Sequence, residues 1–280
     1  MWILLVALYG VLKGVRDITK KKALQINSAM EVRFGYTLIS FLFVIPSAKE
    51  AITIEPQYLG FIVIKSVIIF IAWMCSFNAI SKLPVGFFGI MDMSRVIFAT
   101  LLGVFVLNEV LTANKIIGML LVLVGLLFVN LRFGNQTREQ TKPLFIILTL
   151  ISCLLNAISE LFDKMLMQHI TSSQLQFWYM FFLLMLYFVY MLIKRAKFSP
   201  KSLKNNPWIL LLSITFVVGD KALFIACESG DSTVIAMTLI KQCSVLISII
   251  GGKLVFKEKN TLYKLICASV IIAGILVAVV

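Results

Sequence analysis

Of 280 residues, 60% are hydrophobic and only 14% charged, against about 45–50% and about 25% in ordinary soluble domains. Composition therefore argues against a soluble globular domain, and the apolar residues fall in blocks of about 20, enough to cross a bilayer core, so the chain reads as one polytopic membrane domain. The formal charge of +13, from 26 Lys and Arg against 13 Asp and Glu, suits either a nucleic-acid binder or a membrane protein with a basic cytoplasmic face.

Apolar runs bounded by Pro, Gly, Asn and charges predict ten helices. The first, Trp2–Thr19, carries Lys13, Arg16 and Asp17 and has neither a basic leader nor a small-residue cleavage site, so it reads as a retained helix and not a signal peptide. Ala29–Ile45, Tyr58–Phe77, Val85–Leu107 and Ala113–Leu131 complete a first half, residues 1–131. A polar linker, 132–142, precedes Leu144–Met167, Leu175–Ile193, Trp208–Cys227, Val234–Phe256 and Leu262–Val280, which make a second half, residues 143–280. Cys75, Cys153, Cys227, Cys243 and Cys267 lie in apolar runs without CxxC spacing, and the one histidine, His169, sits at a helix end. No disulfide, metal site, cofactor or enzymatic activity is expected.

The halves repeat one another. An offset of 149 sets Glu109, Thr112, Lys115, Ile117, Gly125 and Leu127 on Glu258, Thr261, Lys264, Ile266, Gly274 and Leu276. An offset of 143 sets Lys13, Asp17 and Lys21 on Asn156, Glu160 and Lys164, each triplet forming a stripe on one helical face. Five helices per half make the duplication an inverted one, because the second half must enter the membrane upside down. Loop charge agrees: the loops after helices 1, 3, 5, 7 and 9 hold nearly all the loop Lys and Arg, including Lys20, Lys21, Lys22, Lys194 and Arg195. The positive-inside rule makes that face cytoplasmic and puts both termini outside, which accounts for most of the charge without a nucleic-acid partner.

Ten helices in a five-plus-five inverted repeat, with Asn108-Glu109 and Lys257-Glu258 closing helices 4 and 9 and Gly125 and Gly274 in helices 5 and 10, resemble the EamA-type branch of the drug/metabolite transporter superfamily. The resemblance implies an integral protein of a bacterial-type cytoplasmic membrane, a monomer or homodimer, that carries a small-molecule solute by alternating access. Protons or a counter-transported solute would drive it. Glu109 and Glu258 then read as structural turn residues. Lys241, in the stretch Leu239-Ile-Lys-Gln-Cys-Ser-Val-Leu-Ile-Ser-Ile, is similar to a phosphate-binding lysine of triose-phosphate and nucleotide-sugar translocators, although its symmetry mate here is Asp92 and not a base. The alternative reading is a lipid-head-group flippase accessory or a non-transporting structural membrane protein.

Charges within predicted spans mark the site, since a charge at the centre of a membrane helix costs roughly 2.5–3.5 kcal/mol unless it is paired or faces water. Helices 5 and 10 are aliphatic and are assigned to lipid contact, bundle support or a dimer seam. Lys65, Asp92, Arg95, Asp220, Lys221, Lys241 and Gln242, with Trp73, are the substrate-binding candidates; their surplus of bases favours an anionic or zwitterionic metabolite. Asp92 and Lys241 either neutralise each other or receive the solute's charges. Asp220 and Lys221 lie about 100° apart on their helix, so at most one faces the cavity centre. Asp17 and Glu160, with Lys13, Lys21 and Lys164, are coupling or gating candidates; as plain structure, Asp17–Lys21 and Glu160–Lys164 would be intrahelical pairs. Trp73, Phe77, Phe87 and Phe88 form a candidate aromatic gate.

Overall fold

The computed structural model describes residues 1–107, 112–136, 143–195, 205–228, 237 and 240–279. Among these, all regular structure is helical: α1 (Trp2–Ile26), α2 (Ala29–Val44), α3 (Ala48–Ala51), α4 (Pro56–Lys82), α5 (Val85–Asp92), α6 (Arg95–Leu107), α7 (Ala113–Gln136), α8 (Pro143–Leu166), α9 (Ser172–Ile193), α10 (Pro207–Glu228), α11 (Cys243–Phe256) and α12 (Thr261–Val279). Six stretches are long and apolar enough to cross a membrane: Ala29–Ala51, Pro56–Lys82, Val85–Val106, Pro143–Leu166, Ser172–Ile193 and Pro207–Glu228. Glu109 and part of the 132–142 linker lie outside the described residues.

Local chemistry sets the helix ends and departs from the expected boundaries in three places. Lys20, Lys21 and Lys22, expected in a loop, stay helical because each finds a partner: Lys20 reaches Asp17 and the Phe77 ring, Lys21 the Leu83 carbonyl, and Lys21 and Lys22 the Phe256 ring. Pro46, which lacks an N–H, turns the end of α2 into a short 3₁₀ segment, Ile45–Ser47. The expected fourth helix is broken: Met93 and Ser94 donate to the carbonyls of Ile90 and Met91, three residues back, and α6 starts afresh at Arg95. The start of α11 shows the same tightening, with Ser244 and Val245 donating to Lys241 and Gln242. Both interruptions fall at Asp92 and Lys241, the pair that the longer repeat offset superposes.

One repeat signature escaped the sequence comparison. Ser28 and Glu31 form a capping box at the start of α2, and their repeat mates by the shorter offset, Thr171 and Gln174, form its counterpart at the start of α9. Each box satisfies two N–H groups that the first turn leaves unpaired.

The halves interleave. α1 packs on α10 and α11, while α8, its repeat mate, packs on α4 and α6. α7 and α12, the helices assigned to lipid contact, bundle support or a dimer seam, pack chiefly on each other. Their matched glycines make the close approach: a Cβ on Gly274 would stand 2.6 Å from the Leu121 Cβ and 2.9 Å from the Gly118 carbonyl. Outer residues of the same helices, including Leu120, Leu123 and Leu276, are exposed. At one end of the bundle Asn206 binds Ala23 and Asn27, and Glu258 binds Val85 and Gly86. At the opposite end Thr171 meets Glu50, Gln174 meets Thr53, Trp178 meets Ala51 and Glu228 meets Ser172.

Candidate functional site

A central cavity of about 80 Å³ lies where the two halves meet. Much of its lining comes in repeat-mate pairs, all related by the offset that superposes α1 on α8: Lys13 and Asn156, Arg16 and Ser159, Asp17 and Glu160, Lys20 and Asp163, Tyr36 and Tyr179, Trp73 and Phe216, Phe77 and Asp220. The duplicated elements therefore bring equivalent faces to one space. The charges on those faces are not equivalent. Helix α1 contributes Lys13, Arg16 and Lys20, whereas the matching positions of α8 hold Asn156, Ser159 and Asp163. Overall the first half supplies five cations and two acids to the wall, and the second half supplies three acids.

Burial forces these groups into pairs, because an unpaired charge in a low-dielectric interior loses its hydration without compensation. One chain of alternating charge crosses the site. Lys13 Nζ lies 2.6 Å from Asp92 Oδ2, Asp92 Oδ1 3.0 Å from Arg95 Nη2, Arg95 Nη1 3.1 Å from Glu160 Oε1, and Glu160 Oε2 3.0 Å from Lys241 Nζ. Beside it, Arg16 pairs with Asp220 at 3.3 Å, Lys65 with Asp163 at 3.0 Å and Lys20 with Asp17 at 3.7 Å. Asp220 Oδ2 also accepts from the Tyr179 hydroxyl at 2.9 Å.

Aromatic rings carry the cations. The Arg16 guanidinium lies 5.4 Å from the Tyr9 ring centroid and 5.2 Å from that of Phe216, and Lys65 Nζ lies 4.1 Å from that of Tyr179. Trp73 meets Tyr36 and Phe216, each at 5.2 Å between centroids. Of the four candidate gate aromatics, Trp73, Phe77 and Phe88 line the cavity; Phe87 is buried outside the lining.

The expected pairings change. Asp92 and Lys241 do not neutralise each other; Glu160 and Arg95 stand between them in the ionic chain, each carboxylate taking the cation nearest in space. Asp17 pairs with Lys20, and Glu160 pairs across helices, so the two i, i+4 pairs do not form. Lys21 and Lys164 donate instead to the backbone carbonyls of Leu83 and Cys227 and stand outside the lining. Of the adjacent pair on α10, Asp220 faces the cavity, while Lys221 donates to Ser173 Oγ at 2.7 Å. Lys241 lines a small neighbouring space with Glu160 and Asp163. Gln242 is buried beside it on the α11 turn.

Glu258 closes its own helix through its backbone, its N–H donating to the Gly252 carbonyl at 3.1 Å. Lys257, in a left-handed conformation (φ 53°), reverses the chain after α11. The Glu258 carboxylate then accepts from Val85 N at 2.5 Å and Gly86 N at 3.1 Å, capping α5 of the other half, and pairs with Lys264 at 2.7 Å. Gly252 makes room, since a Cβ there would stand 2.8 Å from the carboxylate.

Sequence reasoning did not select Arg16, Lys20, Asp163, Tyr9, Tyr36 or Tyr179 as site residues. The shorter repeat offset carried the signal for Tyr36 with Tyr179 and for Lys20 with Asp163, had it been extended beyond the one stripe.

The same duplication is what a family model registers. The model of the EamA-like transporter family matches residues 1–131 and again 143–280. The chain belongs to the EamA-like transporter family. It is thus a multi-pass integral membrane protein and a transporter of the drug/metabolite type. No curated protein sequence matches this transporter. A solved structure described as "Crystal structure of protein" superposes with a TM-score of 0.66 at 13% identity, over 97% of this chain and 98% of that one. At that identity the likeness concerns the fold alone.

Proposed function

We propose that this EamA-like transporter carries a small zwitterionic metabolite across a bacterial-type cytoplasmic membrane. The reading rests on the division of charge around the cavity: cations predominate on the first half, and acids alone on the second. A solute carboxylate fits against Lys13, Arg16 or Arg95, and its ammonium against Asp163, Asp220 or Glu160, each replacing an internal partner of the same sign. The rings of Tyr36, Trp73 and Phe216 offer the remaining wall to an apolar side chain. A strictly anionic solute fits less well, because Asp163 and Asp220 offset Lys65 and Arg16.

A cavity of about 80 Å³ is well below the roughly 300 Å³ or more of a metabolite site. Solute entry therefore requires the halves to part. Ten crossings in two inverted five-helix repeats supply the means, α4 to α6 rocking against α10 and α11. Two observations support that topology: the loops expected on one side meet at one end of the bundle, and repeat-mate helices make reciprocal contacts. Asp17 and Glu160 are the proposed coupling residues, with either protons or a counter-transported solute as the driving partner.

The test is a thermal-shift series on purified protein using matched ligands: an amino acid, the acid lacking its amine and the amine lacking its carboxylate. We expect stabilisation by the zwitterion, a loss of at least tenfold in apparent affinity for each truncated analogue, and uptake of the zwitterion in proteoliposomes that Lys241→Ala abolishes. Equal stabilisation by the acid alone overturns the zwitterion reading.

A further inference from the structure

Six Lys and Arg side chains among the described residues are less than one tenth exposed: Lys13, Arg33, Lys65, Arg95, Lys241 and Lys264. Five of them lie within 3.1 Å of a carboxylate. Arg33 does not. It is 4% exposed on α2, its Nη1 donates to the Met74 carbonyl at 3.3 Å, its guanidinium lies 5.9 Å from the Phe77 ring, and its Nε is buried without a partner. The titratable groups facing it are Tyr187, Tyr190 and Cys75, two phenols and a thiol, none of them anionic at neutral pH in the ordinary case. The Tyr187 hydroxyl is also buried without a partner, its ring held 4.8 Å from that of Phe70.

The duplication shows that the fold does not require this charge. Gln176 is the repeat mate of Arg33, and Val217 that of Met74, both by the shorter offset. Gln176 donates to the Val217 carbonyl at 2.9 Å. A neutral amide thus does the same bracing in the second half. The extra charge on Arg33, and the idle phenol beside it, call for an anion that the described residues do not supply.

Position identifies its source. Arg33 stands five residues past the Ser28 cap, about 7.5 Å into the bundle at 1.5 Å per residue, and Tyr187 lies six residues, about 9 Å, before the end of α9. Each lies in the half of its helix on the side that carries Lys194 and Arg195. Lys194 and Arg195 lie exposed just beyond, and Ile71, Phe188 and Val189 present an apolar, exposed surface beside the cluster, suited to acyl chains. The unpartnered Arg33 Nε and Tyr187 hydroxyl are two donors of the kind that a phosphate accepts from.

We propose that Arg33 and Tyr187 bind the phosphate of an anionic phospholipid between α2, α4 and α9, on the face of the protein that bears Lys194 and Arg195. This site is separate from the central cavity and independent of the solute carried. Thermal shift and native mass spectrometry of the full chain in detergent test it, with phosphatidylglycerol, phosphatidylcholine or inorganic phosphate added. We expect phosphatidylglycerol to raise the wild-type Tm and to stay bound, and Arg33→Gln to weaken that binding about tenfold or more, as loss of a charge-assisted contact does. Tyr187→Phe should weaken it less, and Lys194→Gln, an exposed control, should leave it intact. Without lipid, Arg33→Gln should keep or raise the wild-type Tm, since the glutamine retains the Met74 bond and removes an unpaired charge; a fall in Tm would assign Arg33 a structural role and overturn the site. Equal phosphatidylglycerol binding by wild type and by both Arg33→Gln and Tyr187→Phe overturns it too. An Arg33-dependent shift produced by inorganic phosphate alone overturns the lipid as the source of the anion.

Discussion

Five carboxylates and five cations share the wall of one small cavity, and their partners differ in number. Asp92 and Glu160 each touch two cations, so removing Arg95 still leaves each with a lysine. Lys65 and Asp163 form a simpler pair, with side chains 3% and 8% exposed. Breaking a buried pair by removing one partner costs about 3–5 kcal/mol, while replacing both by apolar groups is often neutral. Lys65→Met should therefore lower stability by roughly that amount, and Lys65→Met/Asp163→Leu should recover most of it, as read by thermal unfolding in detergent. A double variant no more stable than the single one would show that the pair is not the relevant unit. At this scale the sequence revealed that charges were buried but not which met which. Asp92 meets Lys13 from 79 residues earlier in the chain, and Lys241 meets Glu160 from the start of the second half; no local spacing encodes such a choice.

Among the elements, the interruptions at Met93–Ser94 and Lys241–Gln242 matter most, because they place polar backbone and the charges of Asp92, Arg95 and Lys241 beside the cavity. Non-helical backbone inside a membrane is tolerated where protein or a polar cavity surrounds it. Neither break carries a Pro or Gly at the turn itself, so hydrophobic pattern alone predicted continuous helices there. The start of α5 is a second case, since its cap comes from Glu258 in the other half. Glu258→Gln keeps the size of the cap but removes its charge and the partner of Lys264. We expect a loss of about 1–2 kcal/mol, summing a cap and a helix-terminus charge, seen as a lower Tm. An unchanged Tm would mean that water replaces the carboxylate at the Val85 and Gly86 amides.

For the whole molecule, the uneven loop charge predicts which end of the bundle faces the cytoplasm. In a background without the five native cysteines, Glu55→Cys should react with a membrane-impermeant maleimide in intact cells, and Arg195→Cys only after the membrane is opened. The reverse pattern would invert the orientation inferred from loop charge while leaving the fold untouched. The interleaving of the halves also explains why both repeats line the central cavity: α1 and α8 each pack mainly on helices of the other repeat, so equivalent faces converge there.

By itself the sequence determined the membrane class of the protein and its two repeats, because bilayer thickness and the cost of buried charge act on each segment separately. It also marked Asp92, Arg95, Lys65, Asp220 and Lys241 as groups too costly to face lipid. Only the tertiary structure decided that Lys13 and not Lys241 holds Asp92, that Lys221 stands apart from the cavity, and that Asp163 and Arg16 join it. Those outcomes depend on which helices cross between the halves, and ion pairs form with whichever opposite charge the packing brings within reach.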